Sequence, residues 1–286
     1  KEKMWKIDDV QSVKVIEQGA VRSTIQIERQ FLDSKIVQKI HVYNDFARVD
    51  FETYVDWKES DVLVKTSFPV DLNTTEATYE IQYGNVTRAT HNNTSWDAAM
   101  FEVCGHKWVD LSEGNFGVSL LNNCKYGHDI KDGIMRLTLI KSTCDPNPEA
   151  DKEEHFFTYS LYSHQGTWKE AKTVSQAYQI NTPLFTKVEQ AHTGILADTL
   201  SFVNVNQENI CIEIIKKAED SEHIIVRMYE FENKRVNVTL TFFKEINEII
   251  ECNLLERNLE KQIPKGNQLE FVIKPYEIKT FKVALK

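Results

Sequence analysis

Val21-Arg22-Ser23-Thr24-Ile25-Gln26-Ile27-Glu28-Arg29-Gln30-Phe31 sets the architecture of this chain. From Ile25 onward apolar and polar side chains alternate, the pattern of a strand with one buried face. Working outward, segments 35–43, 46–55, 62–68, 77–83, 116–121, 134–140 and 156–161 repeat the signal and are rich in Val, Ile, Thr, Tyr and Phe, which suit a pleated surface. Turn residues separate several of them: Asn44-Asp45, Gly84-Asn85, Asp132-Gly133 and Asp145-Pro146. One helix is predicted over 170–180, where Ala171, Val174, Ala177 and Tyr178 form a single apolar stripe. Pro183 stops it, because the residue before proline avoids the helical region. A second strand series, 200–205, 210–216, 224–229, 236–242, 269–273 and 278–285, suggests a smaller immunoglobulin-like sandwich. The fold expected is therefore all-β, a large sandwich over 1–188 followed by a small one over 189–286, with the 170–180 helix and residues 183–194 as the bridge.

Composition bounds the function. The 286 residues are 41% hydrophobic and 27% charged, as in an ordinary soluble globular protein. A net charge of −9 disfavours nucleic acid and anionic membrane surfaces as partners. No apolar run approaches the ~20 residues of a spanning helix. The chain opens on Lys1-Glu2-Lys3-Met4-Trp5, with neither an initiator Met nor a signal-peptide core, so it is expected to be a piece of something longer. Cys104, Cys124, Cys144, Cys211 and Cys252 are odd in number and form no CxxC, which reads as free thiols in a reducing compartment. Sequons at Asn73, Asn85, Asn92, Asn93 and Asn237 carry little weight without a leader.

Between Trp57 and Trp168 the sequence becomes specific. Lys65-Thr66-Ser67-Phe68-Pro69, Thr90-His91-Asn92-Asn93-Thr94-Ser95-Trp96-Asp97 and His106-Lys107-Trp108-Val109-Asp110 follow in order. After them come Gly117-Val118-Ser119-Leu120-Leu121-Asn122-Asn123-Cys124-Lys125-Tyr126-Gly127, His155-Phe156-Phe157 and, near the end, Lys274-Pro275-Tyr276-Glu277. This ordered series resembles the C-terminal region of glycoside hydrolase family 38 α-mannosidases, particularly the cytosolic and bacterial type. The resemblance implies a galactose-mutarotase-like large sandwich and a cytoplasmic enzyme that removes terminal α-linked mannose from oligosaccharides. It also implies an Asp nucleophile and a divalent metal, usually zinc, in an N-terminal catalytic domain that would be this region's partner. No His-x-Asp, HxH, HxxxH or HExxH pattern occurs, so no metal or other cofactor is expected within these residues.

Two loops carry the candidate chemistry. The 91–97 loop combines amides, hydroxyls and an indole, a mixture that binds sugars, which makes Asn93, Trp96 and Asp97 substrate-binding candidates. The same loop can instead be read with Trp96 buried and the Asn side chains satisfying turn backbone. The 122–127 loop supplies Asn122, Lys125 and Tyr126, and the resemblance places a basic residue such as Lys125 at the rim of a neighbouring active site. No residue is assigned as catalytic. A retaining glycosidase needs two carboxyl groups about 5–5.5 Å apart. Asp110 with Glu113 is the nominal pair, although Asp-Leu-Ser-Glu also reads as a turn assisted by Ser112. Two other functions stay open: a stand-alone sugar-binding module, and a mutarotase-like enzyme pairing His106 or His164 with Glu113. Trp57, Trp108 and Trp168 read as core or domain-interface residues. Separated from its catalytic domain, the region is expected to expose a patch that promotes homo-oligomers.

Overall fold

A computed structural model describes residues 3–286 and divides them into two compact units, one running to Ile81 and over Val86–Phe185, the other Gln82–Asn85 with Thr186–Lys286. The first unit contains β1 (Val10–Gln18), β2 (Arg22–Phe31), β3 (Ser34–Tyr43), β4 (Arg48–Asp56), β5 (Val62–Pro69) and β6 (Glu76–Ile81). After β7 (Gly84–Ala89) and the one-turn helix α1 (Ser95–Ala99) come β8 (Val103–Cys104), β9 (Trp108–Ser112) and β10 (Phe116–Asn122). The hairpin β11 (Gly127–Lys131) and β12 (Ile134–Ser142), then β13 (Glu154–Gln165) and α2 (Thr173–Asn181), complete it.

These strands make a nine-stranded sheet, ordered β1-β2-β3-β4-β13-β10-β9-β6-β7, and a four-stranded sheet, β5-β12-β11-β8. The two pack face to face because each contributes the apolar side of an alternating pattern. Val55, Phe157, Tyr159, Leu120 and Val109 of the larger sheet meet Val64, Met135, Leu137 and Ile130 of the smaller one. Asp132 and Gly133, with φ of 53° and 68°, close the β11–β12 hairpin with both central residues left-handed, as a two-residue turn requires. Trp57 and Trp108 are fully buried and Trp168 nearly so.

The outer face of the nine-stranded sheet is covered by α2. Its buried Val174 and Ala177 lie against β9 and β10. The helix begins at Thr173 rather than 170, because the Glu170 carboxylate accepts from the Thr167 N–H at 2.8 Å and holds 167–170 as a separate turn. Lys172 then enters the helix from a left-handed φ of 55°. Ala171, expected in the apolar stripe, instead offers its carbonyl to the Tyr162 hydroxyl. Arg48 fastens the helix to the sheet, with Asp50 at 2.8 Å on one side and the Gln176 side-chain oxygen at 2.9 Å on the other.

The second unit contains β14 (Val203–Val205), β15 (Ile210–Lys217), β16 (Ile224–Glu230), β17 (Val236–Phe242), β18 (Ile246–Cys252), β19 (Asn258–Lys261), β20 (Gln268–Ile273) and β21 (Ile278–Leu285). A three-stranded sheet, β14-β17-β20, and a five-stranded sheet, β15-β16-β21-β18-β19, bury Val226, Met228, Leu240, Phe242, Ile249 and Phe281 between them. Residues 183–200 carry no strand or helix and are exposed throughout.

Candidate functional site

The 91–97 loop leaves β7 and closes on α1. Thr94 caps that helix in both directions: the Asp97 N–H donates to the Thr94 hydroxyl at 3.1 Å, and the Thr94 N–H donates to the Asp97 carboxylate at 3.2 Å. The Thr94 hydroxyl also donates to Asp97 at 2.7 Å, and His91 Nδ1 lies 3.7 Å from the same carboxylate. This reciprocal cap is a local consequence of Thr-x-x-Asp. The Thr94 hydrogen bond is the main reason the Asp97 carboxyl sits below its ordinary range. Asp97 thus shapes the loop, while Asn93 and Trp96 stand outside it. Trp96 is 83% exposed, which corrects the reading that buried it. Phe101, at 82%, continues the exposed aromatic surface two residues beyond α1.

The 122–127 loop is held more deeply. Asn122 is fully buried, and its amide donates to the His106 carbonyl at 2.7 Å while its carbonyl oxygen accepts the Lys125 N–H at 2.7 Å. Asn122 therefore supports the loop that carries Lys125. The Lys125 ammonium sits 4.6 Å from the Phe157 ring centroid. Tyr126 is half exposed, with its ring 5.0 Å from that of His106. Burial, opposed by the neighbouring Lys125, raises the Cys124 thiol pKa, so the thiolate a nucleophile needs is disfavoured.

Beside this loop lies a shallow cleft of about 330 Å³, bordered by Lys39, Glu52, Tyr54, Asn123, Phe156 and Thr158. Asn123 closes one side by pairing with the open edge of β13, accepting the Thr158 N–H at 3.0 Å. Tyr54 and the 70%-exposed Phe156 form a tilted pair 4.9 Å apart. Lys39 donates to Glu52 at 2.7 Å, the leading cause of the lowered Glu52 pKa. Sequence reading missed this cleft, since its residues come from three strands and the tip of a fourth. The available signal was an aromatic at Phe156 on a position that alternation assigns to the polar face.

The nominal acid pair does not form a site. Asp110 lies within β9, not in a turn, and is 2% exposed. Its carboxylate accepts from the Ser112 hydroxyl, from Ser119 at 2.7 Å and from His164 Nε2 at 2.8 Å. Glu113 is turned to the Asn73 N–H at 3.0 Å. His164 is sealed against Asp110, so neither it nor the Asp110–Glu113 pair can meet a sugar. Among the described residues no group of three or more His, Cys, Asp and Glu side chains converges as metal ligands, so these residues do not fit a catalytic metal.

Residues 1–149 match the description "Glycosyl hydrolases family 38 C-terminal domain", and residues 209–281 match "Glycosyl hydrolases family 38 C-terminal beta sandwich domain". Alpha-mannosidase G of Dictyostelium discoideum is 40% identical over 94% of this chain and 26% of its own. Alpha-mannosidase 2C1 of Homo sapiens is 35% identical over 89% of this chain and 25% of its own. The alpha-mannosidase of Saccharomyces cerevisiae is 32% identical over 83% and 24%. This chain thus spans about a quarter of the length of these curated relatives. A solved alpha-mannosidase from Enterococcus faecalis superposes with a TM-score of 0.80 at 20% identity, covering 97% of this chain and 35% of that one, which shows a shared fold. With the first domain alone matching 149 of its 286 residues, the chain belongs to glycosyl hydrolase family 38, whose C-terminal β-region it carries.

Proposed function

We propose that these residues are the C-terminal β-region of a cytoplasmic α-mannosidase that hydrolyses terminal α-linked mannose, and that they scaffold its catalytic domain and complete its substrate cleft. One observation carries this reading: relatives named alpha-mannosidase align over 83–94% of the chain. The cleft, the exposed Trp96 and Lys125 supply binding surface, while the buried Asp110 and His164 supply no accessible acid and base. The catalytic carboxylate and the zinc ion expected of the family would be held by the preceding polypeptide, where the metal supplies Lewis-acid and orienting chemistry. Here, Trp96 offers a flat apolar platform to the C–H face of a pyranose, and Lys125 a donor to its hydroxyls. Five free cysteines accord with a reducing compartment.

The test is made in the full-length polypeptide. It should hydrolyse an aryl α-mannoside, and Trp96→Ala and Lys125→Ala should raise KM for a mannobiose by about 3- to 10-fold, the effect of losing one rim contact of roughly 1 kcal/mol. An unchanged KM in both variants would remove the rim role; no α-mannoside turnover in the parent would remove the proposal.

A further inference from the structure

The inner face of the nine-stranded sheet extends beyond the sheet that covers it. Along β2, β3 and β4 the covered end holds Phe31, Ile36, Val55 and Phe51, the last with its ring 5.6 Å from that of Phe68 in β5. Farther along the same face, past a polar row of Arg29, Gln38 and Thr53, the strand register resumes an apolar series. Val15 pairs with Ile25 and Ile25 with Ile40, while Val13 pairs with Ile27. Among the described residues this stretch stands largely open: Val13 is 60% exposed, Val15 57%, Val42 50% and Ile25 39%, with Ile27 and Ile40 half-buried. The opposite face of the same strands is polar, with Thr24, Gln26, Lys39 and His41. An alternating pattern that places aliphatic side chains on the core side, and then leaves them in water, is a surface shaped for a partner.

We propose that the Val13, Val15, Ile25, Ile27, Ile40 and Val42 face is the docking surface for the polypeptide that precedes this region in a full-length family 38 chain, a partner presenting its own aliphatic helix or strand face. This inference rests on the reading that the region is part of a longer α-mannosidase. The relatives are about four times as long as this chain, which occupies 24–26% of them. β1 begins with Val10 at this face, so polypeptide joined ahead of it would be tethered nearby, at an effective concentration on the order of millimolar. A second copy is the competing occupant and is disfavoured twice. The chain carries a net charge of −9. The outer edge of β1 is also broken by two register shifts and bears the exposed Lys14, features that hinder strand-to-strand addition.

The experiment places a cysteine at Val13, at Val15 or, as the polar-face control, at Lys14, and compares maleimide labelling in the full-length enzyme and in the 286-residue chain. All three positions are exposed, so the substitutions leave the fold intact. Val13→Cys and Val15→Cys should label about tenfold more slowly in the full-length enzyme than in the isolated chain, with Lys14→Cys changing by less than about threefold. Equal rates in an active full-length enzyme would overturn the docking face and leave the α-mannosidase reading standing. Protection in the isolated chain that disappears on dilution would assign the face to a second copy and likewise overturn it. A full-length polypeptide without α-mannoside turnover would overturn the reading beneath the inference.

Discussion

Replacing Asp110 by Ala should destabilise the first unit by about 2–4 kcal/mol, the cost of orphaning buried hydrogen-bonding groups and opening a small cavity. The magnitude follows from what the carboxylate leaves behind. Ser119, fully buried, keeps its 2.8 Å contact with the Thr173 hydroxyl, and the half-buried Ser112 can turn to water, so neither contributes much. His164 has no such recourse. Its Nδ1 already lacks a partner, and losing the 2.8 Å contact at Nε2 orphans the second ring nitrogen, at a cost of about 1–3 kcal/mol. The cavity left by the carboxyl and the loosened β9–β10–β13 packing supply the remainder. Asp110→Asn, which keeps one acceptor, should cost about 1–2 kcal/mol. Urea unfolding followed by tryptophan fluorescence is the assay, because all five tryptophans lie in the first unit and Trp108 and Trp168 form a tilted pair 4.9 Å apart beside this network. If Asp110→Ala shifted stability by less than about 1 kcal/mol yet abolished activity of the full-length enzyme, the assignment of Asp110 to structure, not chemistry, would be wrong.

Other outcomes can be checked alongside. Burial pushes the fully buried His128 down to about 3, so the folded chain holds it neutral while the unfolded chain protonates it below about 6.5. Stability is then complete above pH ~6.5 and falls by up to roughly 1.4 kcal/mol per pH unit down to about pH 3; His128→Phe should flatten that slope in acid unfolding curves, and an unchanged slope counts against it. Gly117→Ala should destabilise by about 1–3 kcal/mol, since a Cβ there meets Ser112 Oγ and the His164 ring; a neutral effect in urea would mean the strand shifts freely. Trp96→Ala should change stability by less than about 0.5 kcal/mol because the ring is exposed, and a larger loss by calorimetry would place it in the core. Cys124→Ser should leave kcat of the full-length enzyme within about twofold; a collapse would restore the thiol as a nucleophile.

Strands whose alternation or β-branched runs stand alone were legible in the sequence: 236–242 and 278–285 coincide with β17 and β21. Those hidden from it had local reasons. β1, with Val13, Val15 and Ile16 exposed on an edge, has no buried face of its own to impose a pattern of burial. β9 is buried on both faces, Trp108 and Asp110 beneath α2 and Val109 and Leu111 in the core, so its polar residues read as a turn. β18 and β19 alternate weakly because Glu248, Glu251 and Glu260 interrupt them. For the candidate site, residue types alone drew attention to the loops at Trp96 and Lys125, and the structure finds Trp96 exposed and Lys125 beside the Phe157 ring. The role of Asn122 was not, because an amide that holds a loop and an amide that holds a sugar look the same in sequence. The Tyr54–Phe156 cleft depends on a strand register of β4 against β13 that only the folded chain specifies.

If the residues here frame a reaction whose metal and attacking carboxylate belong to other polypeptide, the isolated chain should be inert. Turnover of an aryl α-mannoside by the 286-residue chain, with zinc present and beside the full-length enzyme, measures it most directly. Hydrolysis is expected from the full-length enzyme and a rate at buffer background from the isolated chain. Sustained zinc-dependent hydrolysis by the isolated chain would contradict it.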